Sequence, residues 1–190
     1  MNLRSTPAKI TTGVIGMLAA GALAVSTAPA SANADDGYVR GYDAAKGDWG
    51  DEGTLGSHPG LHQESNATCL WQKILWAEGA YYPGPNNTHP RFTASQVTGY
   101  FGWYTDRATV TLQARWGLDK DGVVGPATFS RAERQLTVTG GSDDRGEQLN
   151  FTYYGQAHSF SVIRNKEGQY AFRDGDDKWR AAGYNYRTCS

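Results

Sequence analysis

The chain has 190 residues, 18 basic and 19 acidic, for a formal net charge of −1. No basic block stands out, which argues against a nucleic-acid partner. Its 23 aromatic residues (six Trp, eleven Tyr, six Phe) suit either a small packed core or contact with sugars.

The first 34 residues read as a secretory leader. Arg4 and Lys9 precede an apolar, small-residue run from Ile10 to Val25, and overlapping A-x-A sites follow at Ala28, Ala30 and Ala32. Cleavage is expected after Ala34. The run is short and diluted by Gly and Thr for a membrane span, so no membrane insertion is expected after cleavage. Removing the leader leaves a net charge of −3, since it holds two bases and no acid. Residues 35–65 carry seven glycines, mixed charges and no apolar period. Such a stretch buries too little to offset backbone ordering and is expected to be disordered.

From Ala67 the pattern turns helical, and two short phrases recur. Gly99-Tyr-Phe-Gly102-Trp-Tyr-Thr105 returns 23 residues later as Gly122-Val-Val-Gly125-Pro-Ala-Thr128. Likewise Ala67-Thr-Cys-Leu-Trp-Gln72 matches Ala108-Thr-Val-Thr-Leu-Gln113. Each unit reads as a helix, a connection, and a glycine turn into the next helix. Glycine tolerates positive φ in the turn, and Pro126 suits the first helical position. Helices are expected over about 67–79, 103–116 and 126–136. The first unit carries an insertion at 80–97, expected to flank a groove beside Trp103.

These motifs, Gln72-x-x-Leu75-x-x-x-Gly79, Gly99 to Ala108, Leu112-Gln113 and Asp121 to Phe129, resemble the peptidoglycan-binding domain family. These are small three-helix modules found beside bacterial wall amidases and carboxypeptidases. The resemblance covers about 66–136, with Thr98 and Thr109 standing where the pattern usually has Asp and Val. It implies a secreted, wall-associated protein whose partner is bacterial peptidoglycan, both glycan and stem peptide. Domain boundaries fall at 66–140 for the helices and 141–190 for a C-terminal region. In that region alternating runs separated by turn residues predict an antiparallel meander of three or four strands. The whole reads as an α+β fold, with a protein partner through the β region as a further expectation.

No constellation for catalysis, metal or cofactor emerges. His58, His62, His89 and His158 are scattered, and Pro59 and Gly60 break the one helical spacing. Asp174-Gly-Asp-Asp177 lacks a full calcium ligand set. The chain is therefore read as non-catalytic. Ligand contact is assigned to Trp103, Tyr104, Tyr100, Gln113 and Asp121. Two readings of Trp103 stand: it stacks on ligand, or it fills space under the insertion. For Gln72 and Gln113, bracing of loop backbone competes with ligand contact. Cys69 and Cys189 are expected to pair, because export permits oxidation and a first helix apolar nearly all round needs a second cover. Two other functions compete: an extracellular structural or interaction module without wall ligand, and an accessory to a wall hydrolase with unrecognised activity.

Overall fold

The computed structural model describes residues 37–42 and 44–190, so the leader expected at 1–34 lies outside the described residues. Three helices, α1 (Asn66–Ala77), α2 (Trp103–Trp116) and α3 (Pro126–Glu133), precede five strands. These are β1 (Leu136–Gly141), β2 (Leu149–Tyr154), β3 (Ser159–Arg164), β4 (Tyr170–Arg173) and β5 (Trp179–Ala181). The strands form one antiparallel sheet in sequence order. The architecture is α+β.

Local chemistry sets the helix ends. Ser65 caps α1, its hydroxyl accepting the Thr68 N–H at 3.0 Å, which satisfies one of the free donors of the first turn. Gly117, at φ 72°, closes α2 in the left-handed conformation that glycine adopts without a Cβ penalty. Pro126 opens α3. That helix stops at Glu133, three residues short of the expected end, and Leu136-Thr-Val-Thr pairs with β2 instead. β-Branched residues on alternate faces favour the ladder over another helical turn. The boundary drawn at 140 therefore falls inside β1, and the meander has five strands.

α1 is covered on every side, with Cys69, Leu70, Trp71, Ile74 and Leu75 fully buried. Leu149, Phe151 and Tyr153 of β2 and Val162 of β3 join the same core as Phe101, Leu112 and Phe129 of the helical part. Buried Glu78, just past α1, ties three elements together. Its carboxylate meets Arg115 of α2 at 2.6 Å and accepts from the Tyr153 hydroxyl of β2 at 3.1 Å. At the other end of α1, Cys69 and Cys189 form a disulfide. Asn66 beside it accepts the N–H groups of Thr188 and Cys189.

The segment expected to be a disordered tail is instead anchored to the rest of the fold at several buried points. Val39, Trp49 and Leu55 have no exposed surface. Leu55 and Val124 exchange both backbone hydrogen bonds, and the Val39 N–H donates to Ala182. Trp49 meets Phe129 and Tyr170 edge-on at 6.0 and 5.4 Å. Glu133 accepts the N–H groups of Gly47 and Asp48, both at 2.8 Å, at the short 3-10 turn Asp48–Gly50. Residues 44–56 thus form a strap lying against both α3 and the sheet. A few long-range anchors outweigh the glycine content, and no local window of sequence displays them.

The strap makes stability depend on pH. Burial pushes the Glu52 carboxyl up from 4.5 to about 8, although it accepts from the Arg40 N–H and the Tyr184 hydroxyl. The folded protein therefore holds a proton that the unfolded chain releases above pH 4.5. Its contribution is complete below that value and is lost as pH rises through about 8. Asp48 and Glu133, raised chiefly by burial, act in the same sense. The unfolding free energy from urea titrations at pH 5 to 9 is expected to fall across this window, by at most roughly 1.4 kcal/mol per pH unit for each proton retained. Glu52→Gln should flatten the slope.

Candidate functional site

Two grooves open where a glycine turn enters a helix, and each is organised by a buried glutamine. The Gln72 amide of α1 donates to the Tyr100 carbonyl and the Thr105 hydroxyl, both at 2.9 Å. Its oxygen accepts the N–H groups of Thr98 and Gly99, both at 2.8 Å. Gln113 of α2 does the same one turn later in the chain. It donates to the Val123 carbonyl at 2.8 Å and the Thr128 hydroxyl at 3.2 Å, and accepts from Gly122 at 3.0 Å. A single amide thus fixes each turn through both of its ends, so the turn is rigid before any ligand arrives.

The first groove has a volume of about 360 Å³ and is lined by Gln72, Ser95, Gln96, Thr98, Tyr100 and Gly102 to Thr105. Trp103, Tyr104 and Tyr100 are 55%, 54% and 45% exposed. Trp103 and Tyr104 stand on the first turn of α2, which no side chain caps. Tyr82, from the insertion, packs on Tyr104 at 4.9 Å and on Trp103 at 6.3 Å. The insertion therefore braces the aromatic pair from behind and lends Ser95 and Gln96 to the rim. Trp103 keeps over half of its surface free, so it is not simply filler beneath the insertion.

The second groove, about 480 Å³, is lined by Gln113, Gly117 to Asp119, Asp121, Val123 and Gly125 to Thr128, with Thr54 of the strap. Pro126 and Ala127 stand here where the first groove has Trp103 and Tyr104. Asp121 accepts from Gln113 and from the Val123 N–H, both at 2.9 Å. The five residues assigned to ligand contact are thus divided between two places. Trp103, Tyr104 and Tyr100 share the first groove, whereas Gln113 and Asp121 belong to the second, where their hydrogen bonds brace the turn. Sequence reasoning missed Ser95, Gln96 and Thr98 in the first groove. Only the insertion's position ahead of the turn pointed to them.

Among the described residues, no group of three or more His, Cys, Asp or Glu is placed to hold a metal ion. Asp174 of the acidic turn accepts from Arg180 and from the Lys178 and Asp176 N–H groups. No helix among the described residues is long and apolar enough to cross a membrane.

Residues 70–131 match the model of a family described as "Putative peptidoglycan binding domain". The match runs from within α1 to within α3 and takes in both turns and the insertion, so this stretch carries that domain. A curated relative, the "Zinc D-Ala-D-Ala carboxypeptidase" of Streptomyces albus G, is 33% identical over 134 residues. The alignment covers 70% of this chain and 42% of that protein, so the chain spans less than half the relative's length. It is also longer than the family match and takes in part of the chain outside the domain. No solved structure matches.

Proposed function

We propose that this is a secreted, non-catalytic protein that binds bacterial cell-wall peptidoglycan, with the aromatic groove at the start of α2 as its contact surface. One observation carries the reading. Three exposed aromatic rings line a groove inside the stretch that matches the peptidoglycan-binding family. Rings this exposed contribute little to the fold, and their desolvation by a ligand is favourable.

The two turns are read as copies of one ancestral unit, supported by the matching glutamine hydrogen bonds. One copy kept a plain Pro-Ala helix start while the other gained aromatics and an insertion. Export is supported by the leader-like N-terminus and by the disulfide, which persists in an oxidising compartment.

Pelleting with purified, protein-free sacculi tests this directly. The protein is expected to sediment with sacculi, to release no soluble muropeptide, and to be retained far less when Trp103→Ala is introduced. Absence from the pellet would leave the interaction-module alternative. Muropeptide release would instead make the chain an enzyme.

A further inference from the structure

We propose that the aromatic groove reads the sugar strand of the wall rather than its stem peptide, its ligand being a neutral β-linked N-acetylhexosamine chain. The inference rests on the reading that this groove is where the wall is met, and it narrows what is met there.

The first observation is charge. None of the described residues lining the groove is charged: Gln72, Ser95, Gln96, Thr98, Tyr100, Trp103, Tyr104 and Thr105 are amides, hydroxyls or aromatics. Stem peptides carry free carboxylates and an amine. The uncapped first turn of α2 offers backbone N–H groups to one carboxylate, but no acidic side chain among the lining residues meets the amine and no basic one a second carboxylate. The second groove, with Asp119 and Asp121 in its lining, shows that this fold does place charge at the corresponding turn.

The second observation is shape and surface. A pyranose ring presents a flat face of C–H bonds, edged by hydroxyl and acetamido groups. Trp103 and Tyr104 are large flat surfaces, their centroids 5.2 Å apart with planes at 83°, so they offer one face and one edge. Around them Ser95, Gln96 and Thr98 provide neutral donors and acceptors. This pairing of an apolar ring face with a polar rim matches a sugar's own division. The volume, about 360 Å³, falls in the range of small-ligand pockets.

The third observation is preorganisation. Tyr82 packs against both rings, and the Gln96 amide donates to the Tyr82 hydroxyl at 3.4 Å. Gln63 donates to the Tyr100 hydroxyl at 3.3 Å. Rings held from behind lose little freedom when a ligand arrives. At Pro126 and Ala127 the other turn has nothing flat to offer, so the sugar site belongs to the first turn alone.

The test titrates the full protein by calorimetry with the β-1,4-linked tetramer of N-acetylglucosamine and, separately, with a sugar-free stem pentapeptide. Sacculus pelleting is run in parallel. The tetramer is expected to saturate binding and the pentapeptide to give no heat. Trp103→Ala and Tyr104→Ala, each checked for an unchanged melting point, should weaken the tetramer about tenfold, as expected for an aromatic anchor. Trp103→Phe should restore part of the loss. Sedimentation with sacculi but saturation only by the pentapeptide would overturn the sugar assignment and leave wall binding intact. The sugar assignment falls equally if sacculi are bound and neither soluble probe is, or if tetramer affinity is unmoved in both alanine variants. Loss of sacculus binding together with a silent tetramer would overturn the wall reading itself.

Discussion

Arg164→Ala is expected to lower the unfolding free energy by about 3–5 kcal/mol, the cost of leaving a buried carboxylate without its partner. Arg164 and Asp48 meet at 2.8 Å with side chains only 4% and 6% exposed. The Tyr170 hydroxyl donates to the same Asp48 oxygen at 2.6 Å, so one donor would remain after the substitution. Arg164 also donates to the carbonyls of Ala44 and Asp143, and the arginine thus ties the strap to β3 and to the β1–β2 connection. Denaturant unfolding at pH 7 checks the magnitude, and limited proteolysis should find new cleavage within 44–56. The penalty should shrink as pH falls, because protonation removes the stranded charge. Burial already holds the Asp48 carboxyl above its ordinary value even with Arg164 beside it. The double substitution Asp48→Asn with Arg164→Met should recover much of the loss, since no buried charge is left stranded and the amide oxygen keeps an acceptor for the Tyr170 hydroxyl. A change below about 1 kcal/mol in the single variant, the size of an exposed pair, would mean that the strap is not seated on the sheet in solution.

That strap marks the limit of what the sequence could reveal. Composition over residues 35–65 is rich in glycine and charge, and averages of this kind signal disorder. The residues that reverse the outcome are few: Trp49, Glu52, Asp48 and Leu55. Their partners lie far along the chain, at Phe129, Tyr184, Arg164 and Val124. Local reading cannot see a carboxylate made tolerable by an arginine 116 positions away. Helix starts and stops were legible for the opposite reason, since Ser65, Gly117 and Pro126 act through backbone chemistry within their own turn. The end of α3 was missed because only pairing with β2, distant in sequence, assigns Leu136 to a strand.

The candidate site shows the same division. Trp103 and Tyr104 stood out because the repeated phrase offers its own control, Pro126 and Ala127, at matching places. The repeat could not say that the two turns open separate grooves, and Gln113 and Asp121 were accordingly grouped with the aromatics. Gln113 matches Gln72 because both turns need that bracing, whereas the counterpart of Asp121 is Thr98. The residues found at the first turn alone, including Tyr82 and Gln96 of the insertion, are those that shape its groove.

Opening the disulfide should produce the other large effect. The bond joins residues 120 positions apart, and the loop-entropy model assigns such a closure at most about 5 kcal/mol. The expected export and the apolar circumference of α1 both pointed to this pairing. What it clamps most directly is the segment after β5. Asn66, at the start of α1, bonds to Thr188, Cys189 and Ala181 around the same point. The segment also backs the first groove's turn, since a Cβ at Gly99 would come within 2.9 Å of the Cys189 sulfur. The variant Cys69→Ala with Cys189→Ala is therefore expected to melt at a clearly lower temperature and to loosen the turn that carries Tyr100. Helices, strap and sheet share one core, so the melt should remain a single transition rather than shedding the strands first. Calorimetry of the oxidised, reduced and double-alanine proteins measures this, and alkylation under denaturing, non-reducing conditions reports whether the bond is present. Two reactive thiols in protein purified without reductant would contradict the pairing. A bond that is present but leaves the melting temperature unchanged on reduction would show that the hydrogen bonds of Asn66 hold the segment by themselves.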